Sequence, residues 1–218
     1  MKYELGKQLA DKFIDLLRPA CLRIGTVGSV RRADEKSLSS GVHDIEFLMI
    51  LKSGHPVPEF GRHAIYKTHL EKTLADLECQ GLIRQAADKK DGDKYKKRAI
   101  CNVSDLGMLN EFTMDLFIVT PETWGLQKLI RTGSSWFSHR AVTNKSAIAW
   151  NRETGAKASG FLPNELKYRT AKDSPDGLSA ILRGAERLSV PEEEDVFDVI
   201  FGRQIPPSER RKYAELMK

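Results

Sequence analysis

The sequence predicts an α+β protein in two parts: a mixed sheet with flanking helices over residues 1–120, and a mostly helical part with a small sheet over residues 121–218. Three observations carry this expectation. Apolar, β-branched runs at Cys21–Val27, Glu46–Lys52 and Glu111–Val119 have strand character and alternate with a helical pattern in the first part. Behind Thr120-Pro121 the apolar residues recur mainly at helical spacing. The chain has 218 residues, 40% hydrophobic and 30% charged, enough to bury a core and ordinary for a globular protein.

The elements follow in order. Leu5, Leu9, Phe13 and Leu16/Leu17 predict a helix over residues 3–18, closed by Pro19. Cys21–Val27 is a short strand ended by Gly28-Ser29. A polar loop then runs to Ser39-Ser40-Gly41 and leads into the strand that contains Asp44-Ile45-Glu46. His55-Pro56-Val57-Pro58 marks a loop. Ile65, Tyr66, Leu70, Leu74 and Leu77 predict a helix over 62–80, stopped by Gly81, and a strand starts at Leu82. Asp91-Gly92 signals a hairpin with a basic flank, Lys94 to Arg98, and strands follow at 99–103 and 111–119. In the second part, helices are expected over 122–130, 136–150, 191–200 and from Ser208, with strands at 160–162, 165–169 and 187–189.

Composition excludes several classes. No apolar run approaches the ~18 residues of a membrane span, and the N-terminal segment interleaves acids and lysines, unlike a signal peptide. Cys21, Cys79 and Cys101 make neither a CxxC nor a zinc pattern, and read as reduced, buried small hydrophobes of a cytoplasmic protein. The net charge of +5 favours a polyanionic partner.

The chemistry concentrates between Gly28 and Glu46. Asp44 and Glu46 are two positions apart, so on a strand both carboxylates share a face. Asp115 is a lone acid in a second apolar strand, and a buried carboxylate needs a base or a metal. Three carboxylates at one spot repel unless cations neutralise them, which suits Mg²⁺ completed by substrate phosphates. Upstream, Ser29 and its amides can hold a phosphate, Arg32 can grip phosphate oxygens in a bidentate way, and Ser40 and Gly41 can add donors.

Taken together, Gly28-Ser29-Val30-Arg31-Arg32, the Asp44-Ile45-Glu46 strand and Asp115 resemble the nucleotidyltransferases of the DNA polymerase β type, the X family. Arg131-Thr132-Gly133-Ser134-Ser135-Trp136-Phe137 is similar to the Thr-Gly-Ser…Phe segment of those polymerases. Glu194-Asp195-Val196-Phe197-Asp198 is similar to their terminal Glu-x-Asp-Ile-Phe helix start, with Pro206-Pro207-Ser208-Glu209-Arg210 behind it. The resemblance runs from about residue 20 to the end.

It implies a palm, residues 1–120, and a thumb-type subdomain, residues 121–218, that together bind a dNTP and a primer–template or gapped DNA. The implied reaction is metal-dependent addition of dNTPs to a primer 3′-hydroxyl in gap filling or repair, by a monomer. Asp44, Glu46 and Asp115 would be catalytic and hold two Mg²⁺ ions. Gly28, Ser29, Arg32, Ser40 and Gly41 would hold the triphosphate, Thr132, Gly133 and Ser134 the sugar, and Ser138 the minor-groove edge of the nascent pair. Lys94, Lys96, Lys97 and Arg98 would contact the nucleic-acid backbone.

The chain departs from the family pattern at four places. Glu46 stands for the second aspartate, and its extra methylene makes Mn²⁺ an alternative to Mg²⁺. Val42-His43 lengthen the loop before Asp44. Ile130-Arg131 replace two aromatics that help exclude ribonucleotides. No segment matches the family's lyase domain, so lyase activity is not expected. Untemplated or RNA-directed nucleotidyl transfer, and a catalytically silent DNA-binding relative, are the competing readings. His43 reads as a loop side chain, and Trp124, Trp136 and Trp150 read as core.

Overall fold

In a computed structural model of the protein, alternating apolar side chains build a mixed five-stranded sheet flanked by helices, an α+β architecture. The structure describes residues 1–52, 69–86, 92, 94–101, 112–175 and 177–217. The chain divides into two compact units. The first is Met1–Thr26 with Ser40–Ile118, the second Val27–Ser39 with Val119–Lys218. Residues 27–39, expected in the first part, thus belong to the second unit.

In the first unit, helix α1 (Tyr3–Leu17) buries Leu9, Phe13 and Leu17. Strands β1 (Cys21–Val27), β2 (Asp44–Leu51), β3 (Ile83–Gln85), β4 (Tyr95–Ile100) and β5 (Phe112–Ile118) form the sheet in the order β1-β2-β5-β4-β3. β2 and β5 are parallel, whereas β5/β4 and β4/β3 are antiparallel. Phe47, Leu48, Met49 and Ile50 make β2 apolar on both faces after its first turn of the pleat, as a central covered strand requires. Its opening residues Asp44 and Glu46 and its last, Leu51, keep partial exposure. Helix α4 (His69–Cys79) buries Leu70, Leu74 and Leu77. The Pro56/Pro58 loop, the start of the 62–80 helix and most of the Asp91-Gly92 turn lie outside the described residues.

The polar loop expected after Gly28 is two short helices, α2 (Gly28–Arg32) and α3 (Glu35–Ser40). Asp34 makes the second possible, because its Oδ1 accepts the Ser37 backbone N–H at 2.9 Å, an N-cap at the third helical position. In the second unit they join α5 (Trp124–Thr132), α6 (Ser135–Ala141), α7 (Glu193–Ile200) and α8 (Arg210–Leu216). β8 (Leu166–Arg169), β9 (Ala180–Arg183) and β10 (Glu186–Arg187) form an antiparallel sheet. β6 (Ile148–Trp150) and β7 (Lys157–Ser159) form a hairpin. Phe137 stacks on Phe201 at 5.5 Å, and Phe161 and Phe197 each meet both of these rings at a tilt, within about 5–7 Å.

Two expectations need correction here. The helix read over 136–150 ends at Ala141, and its last residues are β6. Asn144 makes the exit by donating to the Pro163 and Leu166 carbonyls. The 160–162 strand reduces to one bridge between Asn144 and Leu162. Of the cysteines, Cys21 is buried, which pushes its thiol up to about 11, but Cys79 is exposed. Among the described residues no helix is long and apolar enough to cross a membrane.

Candidate active site

The sheet register gathers the three acids of the first unit. Glu46 lies directly opposite Asp115 across the parallel β2/β5 pair, and Asp44 lies opposite Thr113. Alternation puts Asp44, Glu46, Thr113 and Asp115 on one face. On the other side of β5, Lys97 is the cross-strand partner of Asp115. One row across three strands therefore reads Glu46, Asp115, Lys97. Next along β4, the Tyr95 hydroxyl donates a 2.6 Å hydrogen bond to Asp115 Oδ1.

The electrostatics follow from this row. Burial, then the neighbouring Asp115 carboxylate, push the Asp44 carboxyl above its ordinary value, while His43 and Lys97 pull the other way. A carboxylate such as Asp44, whose charge burial and a neighbouring acid disfavour, is one that a divalent cation would relieve. Among the described residues no three His, Cys, Asp or Glu side chains already meet as a metal cluster. Hard carboxylate oxygens on adjacent strands are nevertheless of the chemistry that suits Mg²⁺ or Mn²⁺, and Asp44, Glu46 and Asp115 are the residues that could hold one.

The basic run of β4 does not form one face. Tyr95 and Lys97 share the carboxylate face. Lys96 and Arg98 point to the other side and are 9% and 7% exposed. There Lys96 pairs with Glu71 at 3.9 Å and Arg98 with Glu78 at 2.9 Å, both on α4. Only Lys94 of the expected nucleic-acid contacts is fully at the surface.

Gly41 is at φ +77°, where a Cβ would overlap the Met1 carbonyl. The Val42 N–H donates to that carbonyl, and the Met1 ammonium donates to Val42 O, both at 2.9 Å. The N-terminal end of the chain, at Met1, is the group that requires a glycine here. Ser40 is exposed at the end of α3.

In the second unit, Gly28 is at φ +64° and Ser29 opens α2. The Ser29 hydroxyl is buried without a hydrogen-bond partner, an arrangement that costs about 1–3 kcal/mol until a polar group arrives. Arg32 Nη1 donates to the Thr132 carbonyl at 2.6 Å, and its Nε donates to Asp34 at 3.1 Å. Arg32 Nη1 also lies close to Gly133, where a side chain would crowd it. The Gly28–Arg32 turn and the Thr-Gly-Ser segment are thus joined through the guanidiniums of Arg31 and Arg32. The expected sugar and base contacts have internal partners: Thr132 Oγ1 accepts from Arg31 at 2.6 Å, Ser134 Oγ caps α6, and Ser138 Oγ donates to Ile130 O at 2.7 Å.

Sequence reasoning missed the Arg31–Glu193–Arg210 set and Tyr95. Arg31 is a bidentate partner of Glu193, at 2.9 and 2.6 Å, and Arg210 donates to the same carboxylate at 3.0 Å. Burial works against the Glu193 charge, but the two guanidiniums outweigh it and hold the carboxyl below its usual range. For Tyr95, its place two residues from Lys97, with period-2 alternation, was the available signal.

Compared with known protein families and with curated proteins, the sequence finds no match.

Proposed function

We propose that the protein is a metal-dependent nucleotidyltransferase of the DNA polymerase type, adding dNTPs to a primer 3′-hydroxyl. The observation that supports this reading best is the co-facial set Asp44, Glu46 and Asp115, with Glu46 and Asp115 in direct register. Carboxylates so placed are a donor set suited to divalent cations.

Asp44, Glu46 and Asp115 would hold the cations. When bound, these ions neutralise phosphate charge and acidify the attacking hydroxyl. Tyr95 occupies Asp115 Oδ1 and restricts rotation of the carboxylate, which leaves Oδ2 to take a cation or the hydroxyl proton. Lys97, beside Asp115, limits the repulsion among the acids. Ser29 offers its unpartnered hydroxyl to a phosphate oxygen.

Primer extension tests the reading. The full chain is given labelled dNTPs and Mg²⁺ or Mn²⁺ with a primer–template, a blunt primer or a structured RNA. Template-matched extension that Asp115→Ala abolishes is the expected result. Untemplated tailing or RNA extension would replace it with another nucleotidyl transfer. DNA binding with no product under any condition would mark a catalytically silent relative.

A further inference from the structure

The three tryptophans do not behave alike. Trp124 and Trp136 are 2% and 7% exposed, but Trp150, read from the sequence as core, is 56% exposed. It closes β6, and alternation along that strand puts Ile148, 64% exposed, on the same outer face. The hairpin thus presents an indole and an isoleucine together on its outer face.

Trp150 also lines a cavity of about 330 Å³ together with Ser135, Trp136, His139, Arg152 and Glu153. The walls are preset. His139 Nδ1 lies 3.2 Å from the Trp150 carbonyl, and its ring meets Trp136 edge-on at 6.3 Å. Asn151 Oδ1 accepts the Glu153 backbone N–H at 2.9 Å and fixes the turn. Ser135 Oγ reaches Glu153 Oε1 at 3.5 Å. The cavity therefore offers two flat rings, a hydroxyl and a carboxylate for a polar edge, and one permanent cation at the rim, Arg152. Across the hairpin, Trp150 pairs with Lys157, a second cation on that side.

We propose that this cavity binds an unpaired nucleobase of a single strand, stacked on Trp150, with Arg152 and Lys157 on its flanking phosphates. A flat π-face, a mixed donor–acceptor edge and a nearby anion are the chemistry of a base in a strand. One lining cation set against one lining carboxylate is too little positive charge for a free triphosphate. The cavity lies within the second unit, and the proposal does not depend on the chemistry proposed for the carboxylates.

The test uses the full chain without divalent cations, so that it does not read nucleotidyl transfer. Tryptophan emission is titrated with oligo-dT, with an abasic strand of equal length and charge, and with dTTP. Because Trp150 is the exposed indole, oligo-dT quenches emission, while the abasic strand binds about 10-fold more weakly with little quenching. By anisotropy of labelled oligo-dT, Trp150→Ala weakens binding about 10-fold and Trp150→Phe, which keeps a ring, restores most of it. Binding of the abasic strand is unchanged by either substitution. Equal affinity for abasic and base-bearing strands, or oligo-dT binding unaffected by Trp150→Ala, overturns the proposal. Equal affinity for dTTP and the strand overturns the assignment to a strand.

Discussion

Tyr95 and Asp115 are joined by a 2.6 Å hydrogen bond between adjacent antiparallel strands, on the face that also carries Asp44 and Glu46. The phenol adds an uncharged donor to a crowded set of carboxylates and fixes the orientation of one of them. Tyr95→Phe removes that donor and keeps the ring, which also stacks near Phe117. A hydrogen bond to a charged group contributes about 1.5–3 kcal/mol, so kcat should fall about tenfold or more. The KM for dNTP should change by no more than about twofold, because Tyr95 acts through Asp115. Steady-state primer extension separates the two; a rise in KM at constant kcat would remove Tyr95 from this role.

Metal binding should be visible without catalysis. Mg²⁺ at about 100 times its dissociation constant would stabilise the protein by about 2.7 kcal/mol, and thermal melting would report it. Asp44→Asn and Asp115→Asn should lose that response. Since burial and Asp115 raise the Asp44 carboxyl, protons compete with the metal, and affinity should weaken as pH falls toward that raised range. Glu46→Asp should raise Mg²⁺-supported relative to Mn²⁺-supported activity. An unchanged metal ratio would show that the extra methylene does not set the preference.

The Arg31–Glu193–Arg210 set should dominate the stability of the second unit. Glu193 is 3% exposed, and Glu193→Ala leaves two guanidiniums without their shared carboxylate. A loss of about 3–5 kcal/mol is expected, read as a lower urea midpoint. Lys36→Ala breaks a pair whose side chains are 57% and 58% exposed, and should cost under about 1 kcal/mol. Equal midpoints for the two variants would show that the buried set does not hold the unit together.

Asp34 predicts an acid limb. Burial works against its charge, but the Ser37 hydroxyl, Arg211, the Ser37 N–H and Arg32 outweigh that and hold the carboxyl at about 2, against an ordinary 3.8. A depressed folded value contributes stability that is fully present above the ordinary value and is lost as pH falls through about 2. The contribution at neutral pH is about 2 kcal/mol. Asp34→Asn should be less stable by about that amount at pH 7 and show a flatter decline between pH 4 and 2. Urea midpoints across this range measure it; parallel declines in the two proteins would refute the assignment.

Much of the first unit was legible because strand alternation is a local property. Asp44 and Glu46 had to share a face once β2 was recognised, and Asp115 was conspicuous as an acid in an apolar strand. The same alternation divides Lys97 from Lys96 and Arg98, although the run reads at first as one basic patch. Asp34 followed by Glu35-Lys36-Ser37 carried a helix-start signal inside a stretch read as loop. The partners of Arg31 were not legible, since Glu193 lies 162 residues away. Nor was the exposure of Trp150, which depends on where the chain leaves α6 and on the distant carbonyls that hold Asn144.

By itself, then, the sequence determined the α+β class and, on β2 and β5, which acids point the same way. Period and turn chemistry act over a few residues, and need no knowledge of the rest of the chain. The tertiary structure alone decided that Glu46 pairs with Asp115 rather than a neighbour, and that Tyr95 holds that acid. It also decided that residues 27–39 join the second unit and that Trp150 faces water. Each is a matter of strand register or of partners far apart in the chain, which are fixed only when whole elements pack.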